Sequence, residues 1–485
     1  IAALVNGDFV VVWRISNYLL FQRFNPQGIA VTAKTRVYNS TLQAFPAIKA
    51  LADGGYLISW ETNNSDTYAI RFDANNGVVG SRFRVSNVSG TQNDADITEL
   101  ANGYLVGVWD DESANKLKAT IFKADNSVLN VDIELFPGVA GTQREVTVMA
   151  QNHGGFMVAG IIGTQVMTQS FTSGGVAIGD PQTVNEFGSA VVTEHKQLSL
   201  TELLDGRYVV GWTSSVAQDG DGNTVMMRVF AADGTPITGE SVINQFSTGA
   251  QQGLSLATLD NGDFIAVWQS NGADGDNWGV RARQFSRNGV PREDEFRVGS
   301  RSVNVQYQAD VTVLNNGQIA VSFSDQDPIY KVKVAMLTPG TDGADILQGD
   351  ATNNILIGRG GNNTLYGEAG NDQLFDGFLA FGGEGDDIFY DGVTSNGGDG
   401  EDVFNGGVNI NGGNGDDVVY GGTTVYGDSG FDDFYVGSGT GTINGGSDFD
   451  TVFFSGDIAD YSFVDNANGS HTITDNRLGS PDGSH

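Results

Sequence analysis

The sequence predicts an all-β protein made of two successive repeat arrays, and three observations predict it. A unit of 47 to 56 residues recurs from the start of the chain to about residue 340. From Gly340 onward the period shortens to nine residues. In both stretches, short runs of alternating apolar and polar residues are separated by Gly, Asn and Asp, which is how half-buried strands joined by tight turns read.

In the long array a polar residue and a glycine introduce a strand that usually ends in tryptophan. The copies are Asn6-Gly7 to Trp13, Asp53-Gly54 to Trp60, Asn102-Gly103 to Trp109, Asp205-Gly206 to Trp212 and Asn261-Gly262 to Trp268. Gly154 to Gly160 and Gly317 to Phe323 keep the spacing without the tryptophan. Each unit reads as four strands, seen best in the sixth: Leu254–Thr258, Asp263–Gln269, Trp278–Ser286 and Glu295–Val298. The third strand often closes on Arg and Phe, as in Arg23-Phe24, Arg71-Phe72 and Arg283-Gln284-Phe285, before a turn at Gly28, Gly77, Gly234 or Gly289. Such a unit cannot bury both faces of its sheet alone, so neighbours stack. Seven four-stranded units fit a seven-bladed β-propeller over residues 1–338, with an open array of sandwich or solenoid units as the alternative. The first unit is truncated, starting inside its first strand at Ile1, and the seventh shows three strands before Pro339. A fourth strand upstream of Ile1 is therefore expected, and the sequence reads as lacking part of its natural N-terminus. The tryptophans read as blade core rather than as a ligand platform.

The short array begins with nonapeptides at 340–348, 349–357 and 358–366. Five more start 15 residues apart: GEAGNDQLF at Gly367, GGEGDDIFY at Gly382, GGDGEDVFN at Gly397, GGNGDDVVY at Gly412 and GDSGFDDFY at Gly427. Six-residue pieces separate them, and two further nine-residue pieces start at Val436 and Gly445. Glycine permits the positive φ of a tight turn and lets carbonyls face inward. The sixth-position aspartate supplies a hard anionic oxygen suited to Ca²⁺. The eighth position is apolar and points inward: Leu347, Leu356, Leu365, Leu374, Phe389, Phe404, Val419, Phe434 and Val452. Ala380 and Ser395, in the six-residue pieces, leave room for opposing Phe rings.

The pattern G-G-x-G-x-D-x-U-x, with U apolar, resembles the repeat of the RTX (repeats-in-toxin), or hemolysin-type calcium-binding, family. The resemblance covers about residues 340–453. It implies a calcium-binding parallel β-roll over 339–453, and type I secretion of an unfolded chain that folds outside a bacterial cell. In a roll, alternate turns lie on opposite edges. One edge then carries Asn354, Asp372, Asp387, Asp402, Asp417, Asp432 and Asp450, and the other carries Asp345 and Asn363 followed by short turns. One long column and one stunted column of calcium sites are expected, weaker where Asn replaces Asp. Residues 454–485 read as an incomplete β capping segment, and Thr474–Gly483 is similar to the Asp-Gly-rich stretch that follows RTX rolls.

The charge fits this division. Of 59 acidic and 25 basic residues, 25 acidic and only 2 basic ones lie in 341–485. Carboxylates on strands about 4.8 Å apart repel by about 3 kcal/mol per neighbouring pair at an effective dielectric near 20. Divalent cations between them reverse the sign, which couples metal binding to folding. A net charge of −34 argues against nucleic acid and anionic membranes as partners. The absence of cysteine excludes disulfides and thiolate metal sites, and no apolar run is long enough to span a membrane.

Catalytic signatures are missing. His153, His195, His471 and His485 form no H-E-x-x-H, and there is no G-x-S-x-G, P-loop or dinucleotide fingerprint. Two loops in the long array, Asp219-Gly-Asp221-Gly-Asn223 and Asp274-Gly-Asp276-Asn277, have alternating oxygen ligands that could hold Ca²⁺, while solvated hairpin turns are the simpler reading. The functional expectation is a non-enzymatic, secreted, calcium-binding protein of a bacterial cell surface: adhesin, matrix, surface-layer or filament subunit. Self-assembly or cell-surface polysaccharide are the partners in view. The alternative is a secreted polysaccharide hydrolase or lyase with its site on the propeller face. A membrane-damaging toxin fits less well, because no long apolar or amphipathic helical segment is present.

Overall fold

The computed structural model describes all residues except 38–42, 63–65, 87–91, 187–197, 216–217, 273–277, 299–304, 326–330, 342, 350, 360, 438–440, 467–469, 478–481 and 485. The chain forms two compact units, Ile1–Ala335 and Met336–His485.

The first unit is a propeller-like ring of antiparallel sheets in which strands pair in chain order. The sixth blade, Gln251–Thr258, Phe264–Asn271, Trp278–Phe285 and Phe296–Arg297, matches the four strands read from its sequence. Trp60, Trp109, Trp212 and Trp268 are buried in the blades. Arg-Phe closures have a visible purpose. The phenylalanine stacks on the aromatic residue that opens the second strand, as in Phe9–Phe24, Tyr56–Phe72 and Phe264–Phe285 with ring centroids 5.1–5.3 Å apart. Each such pair contributes about 0.5–1.5 kcal/mol beyond burial. The arginine reaches a neighbouring blade: Arg71 Nη1 donates to Ala124 O at 3.2 Å, and Arg283 Nη1 to Ile243 O at 3.2 Å. In the fourth blade Gly160 stands where the others have an aromatic residue. A side chain there would collide with Leu117, because Leu117 and Phe136 already fill the space.

Among the described residues six blades are complete four-stranded sheets, not the seven expected. The seventh unit supplies three antiparallel strands, Gln306–Val313, Ile319–Asp325 and Lys331–Pro339. It still meets the first blade: Ala3 N donates to Thr312 Oγ1 at 3.2 Å and Asn315 Nδ2 to Val5 O at 2.8 Å. The third of these strands leads into the next unit and not into an antiparallel fourth strand. Its last residues, Leu337–Pro339, pair in parallel with Ile355–Ile357.

The second unit is a parallel β-solenoid with two facing sheets. One runs through Ile355–Ile357, Gln373–Phe375, Ile388–Tyr390, Val403–Asn405, Val418–Tyr420, Asp433–Tyr435 and Thr451–Phe453. Its register advances by 15 residues where a turn pairs nine residues with six, as Phe389↔Phe404↔Val419, and by 18 where two nonapeptides make the turn, as Leu356↔Leu374. Between the sheets lies one core of Leu356, Leu374, Phe389, Phe404, Val419 and Phe434, faced by Leu365, Ala380, Ile410 and Val425. Leu347 is only partly buried, and Val452 is 38 % exposed rather than internal, because the last turn has a stacking neighbour on one side only. Tyr461–Asp465 pairs antiparallel with His471–Asp475. It is tied back by Asp482, which accepts from Ser455 N at 2.6 Å and Ser455 Oγ at 2.8 Å.

Candidate metal centre

Each nonapeptide makes a glycine turn on one edge of the roll and then a short strand. In the turn that starts at Gly397, Gly398 and Gly400 have φ of +116° and +145°, which L side chains rarely adopt. Space also forbids a side chain. A methyl group on Gly398 would collide with the carbonyl of Gly383, and one on Gly400 with that of Gly385. A methyl group on Gly397 would collide with Asp402 Oδ2 and with the carbonyl of Gly412. The first glycine of the motif thus preserves a cradle lined by a carboxylate oxygen and by a carbonyl of the following turn. The same pair of obstacles recurs at Gly367, Gly382, Gly412 and Gly427.

The sixth-position residues form a continuous column. Backbone N–H groups donate to the Oδ1 atom of the next member: Asn354 to Asp372 (2.6 Å), Asp372 to Asp387 (2.8 Å), Asp387 to Asp402 (2.7 Å), Asp402 to Asp417 (2.9 Å), Asp417 to Asp432 (2.9 Å) and Asp432 to Asp450 (3.2 Å). Asp372, Asp387, Asp402, Asp417 and Asp432 have no exposed surface. Oδ2 of Asp387, Asp402, Asp417 and Asp432 takes no hydrogen bond among the described residues. A buried charge with an unmatched oxygen is costly. Burial first, and then repulsion between neighbouring aspartates, pushes the carboxyls of Asp387 and Asp402 up to about 7 and that of Asp417 up to about 8; Asp432 is raised for the same reasons.

This donor set fits a hard divalent cation. It consists of oxygen alone, a carboxylate oxygen and a backbone carbonyl at each cradle, which suits Ca²⁺. Among the described residues no three carboxylates or imidazoles converge on one point. Ligation would therefore draw one carboxylate from each turn and complete its shell with backbone carbonyls, which is why the glycines matter as much as the aspartates.

On the other edge Asp345 and Asn363 meet, with Asp345 N donating to Asn363 Oδ1 at 2.9 Å. At Asn363 the side-chain Nδ2 donates to Arg359 O at 3.2 Å, so a donor stands where Asp would present an acceptor. Asp345 Oδ2 is already engaged by Thr341 N and Oγ1, at 2.7 and 2.9 Å. In the propeller, Asp219 accepts from Thr224 Oγ1 at 2.9 Å and from Asn244 Nδ2 at 2.6 Å, and Asp221 accepts from Gly249 N at 3.0 Å. These bonds knit the loop to its neighbour. Asp274 and Asp276 lie outside the described residues, as do His195 and His485. The nonapeptide consensus does not single out Asp386, Glu401 and Asp416, yet they form a second, exposed acidic row. Asp386 Oδ1 accepts from Glu401 N at 3.1 Å and Asp416 Oδ1 from Phe431 N at 2.8 Å. The Asp-Asp doublets at 386–387 and 416–417 were the visible sign of it.

The family model for the RTX calcium-binding nonapeptide repeat matches residues 339–374 and 408–423, in four copies. The chain carries RTX calcium-binding repeats. No curated protein sequence matches it. Among solved structures, it is similar to a protein of unknown function from Dyadobacter fermentans, at 11% identity and TM-score 0.43, over 68% of this chain and 99% of the other. A putative 6-phosphogluconolactonase from Bacteroides fragilis matches at 12% identity and TM-score 0.43, over 68% and 94%. An α-L-arabinofuranosidase from Fusarium graminearum matches at 13% identity and TM-score 0.36, over 50% and 80%. Likenesses at this level carry no argument about activity. No helix among the described residues is long and apolar enough to cross a membrane.

Proposed function

We propose that this chain is a secreted, calcium-binding structural protein of a bacterial surface or extracellular matrix. In this reading the RTX roll stays unfolded during type I secretion and folds on meeting millimolar calcium outside the cell. Domain limits of 1–338, 339–453 and 454–485 belong to the same reading. One observation carries it: four buried carboxylate oxygens in one column, on Asp387, Asp402, Asp417 and Asp432, have no hydrogen-bond partner among the described residues. Paired with carbonyl-lined glycine cradles, they favour calcium along Asn354, Asp372, Asp387, Asp402, Asp417, Asp432 and Asp450, with a lesser site at Asp345 and Asn363. Asp219 and Asp221 serve the propeller as loop staples. Calcium titration of the chelator-treated protein tests the reading, followed by circular dichroism and isothermal calorimetry. A cooperative gain of β-structure with several ions per chain is the expected result. A roll that stays ordered in excess chelator overturns it. Turnover of a polysaccharide by the purified protein would favour the hydrolase or lyase reading instead.

A further inference from the structure

Turns along the long column differ at the second position of the motif. Strand pairing stacks these positions in one row: Glu368, Gly383, Gly398, Gly413, Asp428 and Gly446. The three central glycines are alike, with φ of +117°, +116° and +116°. Glu368 and Asp428, which flank them, have φ of +81° and +73°. Side chains explain the difference. The left-handed well open to an L residue is centred near +57°, so neither residue reaches the value of the central glycines. The last turn departs at its fourth position, where Asp448 has φ of +78° and Gly385, Gly400, Gly415 and Gly430 range from +119° to +145°.

The second position governs the cradle before it. Each cradle is lined by the carbonyl of the first residue of the following turn, and φ of the second residue orients that same peptide plane. Gly397 O and Gly412 O line the cradles of Asp387 and Asp402, and both precede a glycine. Gly427 O lines the cradle of Asp417 and precedes Asp428, while Gly367 O lines that of Asn354 and precedes Glu368. The two flanking carboxylates are engaged elsewhere, on the exposed surface. Asp428 Oδ2 accepts from Asn411 Nδ2 at 2.6 Å, and Glu368 Oε1 from Gln348 Nε2 at 2.8 Å.

We propose that Glu368 and Asp428 set the affinity of the cradles they border, so that the column fills from the cradles of Asp387 and Asp402 outwards. The inference rests on reading the roll as a calcium stack and adds the order in which the stack assembles. A cation held between two turns needs both in the cradle conformation. The turns starting at Gly382, Gly397 and Gly412 carry glycine at the second and fourth positions and adopt that conformation without strain. In the turns starting at Gly367 and Gly427 a side chain is held at positive φ, which opposes ordering of the turn and weakens the cation it would hold. Each turn rests only on its neighbours, so the first cations bound at the centre order the next turns on either side. Between no calcium and saturation the roll is then ordered at its centre and open at its ends.

Hydrogen exchange of the whole chain, followed by mass spectrometry along a calcium titration, tests this. In the wild type, amides of residues 382–420 should gain protection at lower calcium than those of 351–359 and 427–436. Asp428→Gly and Glu368→Gly should each lower the calcium midpoint of the bordering turns by about threefold or more, because glycine enters the left-handed region freely. Asp428→Asn keeps the side chain, removes the charge and should bring no such gain. Circular dichroism at saturating calcium, matching that of the wild type, establishes that each variant folds. Protection of all turns at one calcium concentration overturns the proposal. So does a loss of affinity shared by Asp428→Gly and Asp428→Asn, which would make the charge of Asp428 its contribution. In both cases the calcium reading stands. An exchange pattern that calcium leaves unchanged sinks that reading and this proposal together.

Discussion

Propeller and roll are both repeats of short strands, but the attraction between successive repeats has a different origin in each. In the propeller it is apolar: buried tryptophans, stacked aromatic pairs and arginine bridges to neighbouring blades such as Arg71 to Ala124 O. In the roll a narrow core one side chain wide is flanked by a column of buried carboxylates that repel one another. The first array holds together by side chains alone, and in the proposed reading the second needs ions as well. Repetition amplifies whatever each unit carries, whether burial or charge.

Removing calcium is the strongest way to separate them. With excess chelator, residues beyond about 340 should lose β-structure and become protease-sensitive, while the near-ultraviolet signal of the tryptophans, all of which lie in the first unit, persists. If both units melt together, the contrast fails. Next in size is Trp268→Ala. Opening a cavity at this fully buried ring should cost the propeller about 3–5 kcal/mol, read as a lower thermal transition, with calcium stoichiometry unchanged. Asp402→Asn is its counterpart in the roll. Replacing one acceptor in mid-column by a donor should reduce the number of ions bound and raise the calcium midpoint several-fold in calorimetry, and leave the propeller transition in place.

A change of pH sharpens the same contrast. The folded carboxyls of Asp387, Asp402 and Asp417 lie at about 7 to 8, above their usual 3.8, so the metal-free roll binds protons more tightly than the unfolded chain. Without calcium, its tendency to compact should therefore rise as pH falls from 8 towards 5. With calcium, protons compete, and affinity should fall over the same range; calorimetry at several pH values measures both. The smallest effect expected is that of Asn354→Asp, which extends the column by one carboxylate and should tighten the end site modestly. Unchanged binding would mean that Asn354 lies beyond the last cation.

Local periodicity made most of this protein legible. Glycine, aspartate and apolar positions nine and 15 residues apart define the register of the roll, its two edges and its inward row, because a solenoid turn touches only its neighbours. The Gly-to-Trp spacing and the Arg-Phe closures likewise define the blades. What the sequence did not disclose depends on residues far apart in the chain. One such feature is the change to parallel pairing at Leu337–Pro339, where the last strand of the seventh unit meets Ile355–Ile357. That Asn363 turns its amide to Arg359, that Asp219 is consumed by Asn244, and that Val452 lies exposed are outcomes of packing against particular neighbours. Residue order alone thus specifies the repeat, its period and which residues could meet a cation. Only the folded chain decided which carboxylate oxygens remain buried and unmatched, because that depends on every hydrogen-bond donor brought near them.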